Sequence, residues 1–298
     1  MMLAALAVVG IFACAEKVSA ARQGAAWEAA QIAAREAAAA AEKAEDEARE
    51  KAKAEAAEKA KQEAKEQKAR EAAEEEARKE AEIAEKRAAM EAFLASPHVE
   101  SEAEKQIYSY VQCPPGEYRD PRWTGHWARI DAGGTKFYMF GCGICCLANT
   151  VSTLTEQDIN PAKMFWMAQE LSDYLPKGGL GAIDWTQMGK VLDSFRLQSV
   201  LKNKPASYQE FRNDVAGADA TTVLVCKDND DSLWFYTNGH YVTLWGFDPE
   251  DQTVFVTDSS GLYNRRRVSL YAVYKALKTK STAQYMCVSR MTRDGQGS

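Results

Sequence analysis

The stretch GCGICCLANTVSTL, residues 141–154, and the stretch GHYVTLWGFDPEDQTVFVTD, residues 239–258, decide the fold of this chain of 298 residues. The first places a cysteine between two glycines, directly before a run that is typical of a helix. The second contains two alternating segments joined by DPEDQ, whose composition is typical of a turn, and so predicts a β-hairpin. Helices followed by antiparallel strands indicate an α+β fold.

The neighbouring sequence adds elements to this core. Helices are expected to run on after Cys146, over residues 161–175 and over residues 184–195, because apolar residues recur there at helical spacing. Strands are expected in TTVLVCK, HYVTLWGF and TVFVTD, where apolar and polar residues alternate. We assign residues 97–298 to this single globular domain.

Residues 21–96 have the composition of a long solvated helix, rich in Ala, Glu, Lys, Gln and Arg. Opposite charges four residues apart recur in the order that favours a helix: Glu47/Lys51, Glu55/Lys59, Glu66/Arg70, Glu75/Lys79 and Glu82/Lys86. A coiled coil needs large apolar residues, and between Ile32 and Ile83 the only apolar type is alanine. We therefore expect a single-helix spacer, with a weak alanine-seamed coiled coil as the alternative, ending at Ser96-Pro97.

Residues 1–20 contain an apolar run from Leu3 to about Ala15, followed by small residues. This length fits the hydrophobic region of a signal peptide with cleavage after Ala20, and an uncleaved membrane anchor or a lipid-modified Cys14 is the alternative. The sequence thus predicts a secreted protein or one attached to the cell surface or envelope. The net charge of -6 gives no broad basic surface, which argues against a nucleic-acid partner.

Cys142 is the candidate nucleophile. A helix N-terminus stabilises a thiolate, and the flanking glycines let backbone and substrate approach closely. A buried structural cysteine beside a tight turn is the competing interpretation. If the hairpin is centred near Pro249, His240 lies opposite Asp258 with both side chains on one face. A histidine held by a carboxylate is the base that a cysteine nucleophile needs.

These residues carry a family resemblance from about Tyr118 to Leu277. A glycine-flanked cysteine opening a helix, a Gly-His strand leading into Gly-Phe-Asp, and a second strand ending in Asp resemble the papain-like bacterial peptidases of cysteine peptidase family thirty-nine, which trim double-glycine leader peptides. The resemblance implies a papain-like fold with Cys142 as nucleophile, His240 as general base and acid, and Asp258 as its orienting residue. It implies a peptide or protein substrate, a monomeric peptidase domain and no cofactor or metal.

One position departs from the pattern of the family. Its members usually read Gln-x-Asp-Pro-x-Trp before the cysteine, where the Gln amide helps to bind the oxyanion. This chain has Tyr118 at the glutamine position of YRDPRW, residues 118–123. Tyr118 is therefore the candidate for the oxyanion hole, where its hydroxyl would donate beside the backbone N–H of Cys142. The same departure motivates a second hypothesis, a non-catalytic binding or adhesion module on this fold.

The remaining cysteines and histidines give weaker hypotheses. Cys142-Gly-Ile-Cys145 is also a C-x-x-C sequence, which would suit a disulfide oxidoreductase, although that reading leaves the predicted hairpin unused. A zinc site would need a second cysteine pair, and Cys226 and Cys287 stand alone. Up to four of the other cysteines could pair in an exported domain. The two other histidines, 98 and 126, have no carboxylate in register and are expected to be structural or solvent-facing.

Overall fold

The structure, a computed structural model, describes residues 2–176, 181–228 and 233–291, and for residues 2–21 it describes the backbone alone. The chain divides into two units, Met1–Ala81 and Glu82–Ser298. The predicted signal peptide or anchor, residues 1–20, lies outside the side chains that are described. Within the described part, no helix combines the length and hydropathy that a membrane crossing requires.

One long N-terminal helix is followed by shorter helices and by strands, with most of the helices before most of the strands. The helices are α1 (Met2–Ala95), α2 (Glu102–Lys105), α3 (Phe137–Phe140), α4 (Cys142–Thr155), α5 (Pro161–Leu171), α6 (Trp185–Ser194), α7 (Tyr208–Ala216) and α8 (Leu270–Ala276). The strands are β1 (Asp131–Ala132), β2 (Thr135–Lys136), β3 (Leu197–Lys202), β4 (Ala220–Val225), β5 (His240–Asp248), β6 (Thr253–Asp258), β7 (Arg266–Ser269) and β8 (Tyr285–Arg290). The mixture of helices and antiparallel strands confirms the predicted α+β class.

A six-stranded sheet of order β3-β8-β4-β5-β6-β7 forms the centre of the second unit. All five neighbouring pairs are antiparallel. The three predicted strands are β4, β5 and β6, which lie side by side. Strands β3, β7 and β8 were not predicted, and β8 enters between β3 and β4 although it comes last in the chain.

Both faces of the sheet are covered. On one face α4, α5 and α6 bury an apolar core with sheet residues such as Tyr241 and Trp245. On the other face α7, α8 and the last turns of α1 cover Val242 and Leu244. Neighbouring residues of β5 point alternately into the two cores. This alternation is expected for a strand of a sheet that is buried on both faces.

Helix α1 runs through the predicted spacer and ends at Ala95. Two of the predicted charge pairs form, Glu75/Lys79 at 3.3 Å and Glu82/Lys86 at 2.7 Å. In four other pairs of the described helix the cation pairs with a glutamate four residues further along, as Arg70 does with Glu74 at 2.8 Å. This is the less favourable order with respect to the helix dipole, and each exposed pair contributes only tenths of a kcal/mol.

The segment after α1 is fixed to β7 by two buried arginines. Arg265 forms a two-pronged ion pair with Glu100, at 2.7 and 2.6 Å. Its neighbour Arg266 donates to the carbonyl of Ser96 at 2.8 Å and to that of Leu94. The last carbonyls of a helix have no partner within the helix, and these side-chain donors satisfy two carbonyls at the end of α1. The end of α1 is thereby joined to the strand that follows the β5–β6 hairpin.

Candidate active site

Cys142 is the first residue of α4, as the sequence predicts, and its side chain is almost fully buried. The flanking glycines are required by packing. A Cβ on Gly141 would lie 2.2 Å from the ring of Phe137, and one on Gly143 would lie 2.6 Å from Cγ2 of Ile183. No real Cβ approaches other atoms so closely, so the glycines let α4 begin tight against its neighbours.

The β5–β6 hairpin brings His240 and Asp258 together, with a register that differs from the predicted one. Asp258 lies opposite Val242 instead of His240, because the strands pair about a centre near residue 250 instead of Pro249, and the pairing shifts between Trp245 and Asp248. Residues 240 and 242 point to the same face, so the two side chains still meet. His240 Nε2 lies 2.8 Å from Asp258 Oδ1.

Asp258 is fully buried and is surrounded by donors. Oδ1 accepts from the backbone N–H of Ser260 at 2.8 Å, in addition to its contact with His240. Oδ2 accepts from the indole Nε1–H of Trp234 at 3.0 Å. Burial alone would raise the pKa of Asp258, but the charge of His240 and these hydrogen bonds outweigh it and hold the pKa below its usual value. Asp258 is therefore a carboxylate.

His240 and Cys142 form a coupled pair. Burial would lower the pKa of His240, but Asp258 and the Cys142 thiol outweigh it and raise the pKa to about 10. Burial would likewise raise the pKa of Cys142, yet its hydrogen bond to His240 and the backbone N–H groups of Tyr241 and Gly143 lower it. Since Nε2 faces Asp258, the thiol meets the other ring nitrogen, Nδ1. Both shifts favour a thiolate beside an imidazolium over a neutral thiol beside a neutral imidazole.

Tyr118 contacts the segment that follows Asp258. Its hydroxyl accepts a hydrogen bond from Nδ2 of Asn264 at 3.1 Å, and its ring packs where Gly261 has no side chain. Burial raises the pKa of Tyr118, so the phenol keeps its proton and can donate. Its role in an oxyanion hole stays a prediction.

The chain shows structural similarity to known peptidase domains, although no family profile and no curated protein sequence matches it. One similar structure is the peptidase domain of Streptococcus ComA, a bi-functional ABC transporter, with 13% identity over 61% of this chain and 98% of that one and a TM-score of 0.36. A double glycine motif protease from an AMS/PCAT transporter, solved with its leader peptide, has 11% identity over 50% and 84% and a TM-score of 0.32. The chain resembles C39 peptidase domains.

A third similar structure comes from Vibrio parahaemolyticus. It is the N-terminal peptidase C39 like domain of a toxin secretion ATP-binding protein, with 14% identity, coverage of 38% of this chain and 78% of that chain, and a TM-score of 0.25. These are the peptidases that the motifs around Cys142 and His240 resemble in sequence.

Two residues near the site carry contacts that the sequence did not indicate. Trp234 donates to Asp258, and no local signal in the sequence connects this tryptophan with a carboxylate 24 positions away. Gln112 donates from Nε2 to the carbonyl of Tyr138 at 2.8 Å, and its backbone N–H donates to Ser259 at the same distance. Gln112 thus joins α3, the short helix before α4, to the turn after Asp258.

The other described cysteines do not extend the reactive pair. All six cysteines of the described residues are free. Burial raises the pKa of Cys145 well above its usual value, and it also raises the pKa of Cys146. Burial raises the pKa of Cys113 to about 11. Among the described residues no group of three or more His, Cys, Asp or Glu side chains is placed to hold a metal.

Proposed function

We propose that the chain is an exported, thiol-dependent peptidase or amidase that uses Cys142, His240 and Asp258 as a catalytic triad. One observation carries the proposal. A cysteine at the start of a helix is hydrogen-bonded to a histidine whose other nitrogen meets a buried carboxylate at 2.8 Å. A nucleophile, its base and a third group that orients the base define the triad logic of acyl transfer.

The chemistry follows from the charges of the pair. The Cys142 thiolate attacks the carbonyl carbon of a peptide or amide, and the developing oxyanion meets N–H groups at the start of α4. The imidazolium of His240 gives its proton to the leaving amine, and a thioester with Cys142 remains. Neutral His240 then takes a proton from water as the water attacks the thioester, which releases the acid and the Cys142 thiolate and restores the imidazolium. Asp258 keeps the imidazole oriented throughout, and the reaction uses no cofactor.

Two further features belong to the proposal. The substrate is a peptide or protein, as the resemblance to leader-peptide proteases suggests. The N-terminal residues 1–20 direct export, by cleavage or by anchoring, so that the domain acts outside the cytoplasm at the end of a helical spacer.

The alternatives make different demands on the same cysteines. A disulfide oxidoreductase would use Cys145 as the resolving thiol, and burial that raises its pKa well above the usual value disfavours that role. A non-catalytic binding module would tolerate the loss of Cys142. The binding-module hypothesis draws support from Tyr118, which stands where the family has glutamine. Its hydroxyl is hydrogen-bonded to Asn264.

Alkylation and cleavage tests separate these functions. Iodoacetamide should modify Cys142 much faster than Cys287, a half-buried thiol whose pKa burial raises. The full chain should cleave members of a randomised peptide mixture, as read by mass spectrometry, and Cys142→Ala should abolish all cleavage while Cys287→Ala keeps it. Equal alkylation of both thiols, together with no cleavage that depends on Cys142, would overturn the proposal.

A further inference from the structure

The two oxygens of Asp258 have separate sets of donors. Oδ1 lies 2.8 Å from His240 Nε2 and 2.8 Å from the backbone nitrogen of Ser260. Oδ2 lies 3.0 Å from the indole nitrogen of Trp234 and 3.4 Å from the backbone nitrogen of Tyr263. The indole therefore makes the shorter of the two contacts to Oδ2, and Asp258 itself is fully buried. Rotation of the carboxylate is opposed from both edges.

The indole is itself held firmly. Trp234 is fully buried, and its ring meets that of Tyr263 at a centroid distance of 5.4 Å and an angle of 64°. Tyr263 packs in turn on Phe93 of α1 at 5.9 Å, and its hydroxyl donates to the carbonyl of Leu233 at 3.1 Å. Packing on several sides leaves a buried side chain one rotamer. The donor is thus directed at Oδ2 before any substrate binds.

Other buried indoles of the described chain satisfy their N–H with neutral oxygens. The acceptors are the Val111 carbonyl for Trp127, the Ala283 carbonyl for Trp185 and the Thr257 hydroxyl for Trp245. A neutral acceptor is enough to satisfy a buried indole. The contact from Trp234 differs because its acceptor carries a charge and belongs to the candidate triad.

We propose that Trp234 is a positioning residue of the active site, whose indole N–H fixes Oδ2 of Asp258 so that Oδ1 stays directed at His240. This inference rests on the proposed function of the Cys142, His240 and Asp258 group. In this role Trp234 acts through its hydrogen bond to Asp258.

The contact has a chemical consequence as well as a geometric one. Burial favours the protonated form of a carboxyl, and each donor favours the ionised form. Without the indole donor, the shared proton moves more readily from His240 to Asp258. A neutral His240 then stabilises the Cys142 thiolate less, so the pKa of Cys142 rises. Loss of the indole donor should therefore slow the alkylation of Cys142 in weak acid.

The test uses Trp234→Phe in the full chain, which removes the N–H and keeps an aromatic ring. The alkylation rate of Cys142 by iodoacetamide is measured by mass spectrometry from about pH 5 to 9, with Cys287 as internal standard. We expect the acid limb to shift upward by about one pH unit, which makes the rate about tenfold lower on the acid side of the limb. The matched control Trp245→Phe loses an indole bonded to a neutral hydroxyl, and it should keep the wild-type profile.

A double-mutant cycle separates positioning from general damage. If Trp234 acts through Asp258, then Trp234→Phe should change the rate less than about twofold when Asp258→Asn is already present. The same tenfold loss in both backgrounds would overturn the inference, as would an unchanged acid limb in the single variant.

An independent measurement does not need the Trp234 variant to fold. In the ¹H–¹⁵N spectrum of the full chain, with its seven tryptophans, we expect Asp258→Asn to shift one indole N–H resonance strongly and to leave the others near their positions. No shifted indole resonance would overturn the inference. Slow alkylation of Cys142 in the unmodified chain would instead remove the proposed peptidase function, so the two failures are distinguishable.

Discussion

Asp258→Asn is the sharpest perturbation of the proposed pair. It removes the negative charge 2.8 Å from His240 Nε2 while leaving a side chain of the same shape. Breaking a buried ion pair costs about 3 to 5 kcal/mol, which corresponds to about two to four pKa units on the partner. The asparagine amide still offers a neutral hydrogen bond, so we take the lower end. The pKa of His240, about 10 in the native protein, should fall by about two units.

The same free energy governs proton transfer from Cys142 to His240. On the acid side of the rate profile, where the thiolate is the minor form, the alkylation of Cys142 by iodoacetamide should therefore be about a hundredfold slower in Asp258→Asn. The control is Asp251→Asn, an exposed change of the same chemistry in the turn of the same hairpin, which should leave the rate unchanged. A rate for Asp258→Asn within about threefold of the native one would refute the coupling between Asp258, His240 and Cys142.

Three further predictions test the surroundings of the pair. Cys145→Ala should keep cleavage of peptides within about threefold, whereas loss of activity would favour the redox alternative. Arg265→Met should lower the free energy of unfolding by about 3 kcal/mol, measured in urea, because a half-buried glutamate loses its partner, and a change under 1 kcal/mol would contradict this. Gly141→Ala should lower both thermal stability and the alkylation rate, since its Cβ would strike the Phe137 ring 2.2 Å away; unchanged melting would show that α4 adapts.

The parts of the fold that local patterns determine were predictable. Glycines around Cys142 and the apolar run behind it indicated where α4 begins, and the alternation of β5 and β6 gave both strands and the face they share. These signals suffice because a period of 3.6 or 2 is a property of each segment alone.

Long-range pairing was not predictable in the same way. The hairpin was expected to place His240 opposite Asp258, but its turn takes residues 249–252 and the register shifts beside Gly246, which has a φ of 47°. A shift of the strand register by one or two residues cannot be predicted from composition. His240 and Asp258 still meet because residues 240 and 242 lie on the same face of β5.

The same limit explains the missed strands and the missed donor. Strand β8 joins the sheet between β3 and β4 because of pairings across the whole domain, and its own sequence carries little alternation. The contact between Trp234 and Asp258 depends on the tertiary packing of Trp234 against Tyr263. The expected oxyanion role of Tyr118 depends on similar packing, and the hydroxyl is bonded to Asn264.

His240 and Asp258 belong to neighbouring strands, whereas Cys142 begins a helix of the layer that covers the sheet. In a chain whose helical layer has not yet docked, the cysteine has an ordinary pKa of about 8.5 and is mostly protonated at neutral pH. When the helical layer docks on the sheet, the Cys142 thiol meets the His240 imidazolium and the N–H groups of Tyr241 and Gly143. If Cys142 is the nucleophile that we propose, folding is its activation step, because before the helical layer docks the thiol has no imidazolium beside it.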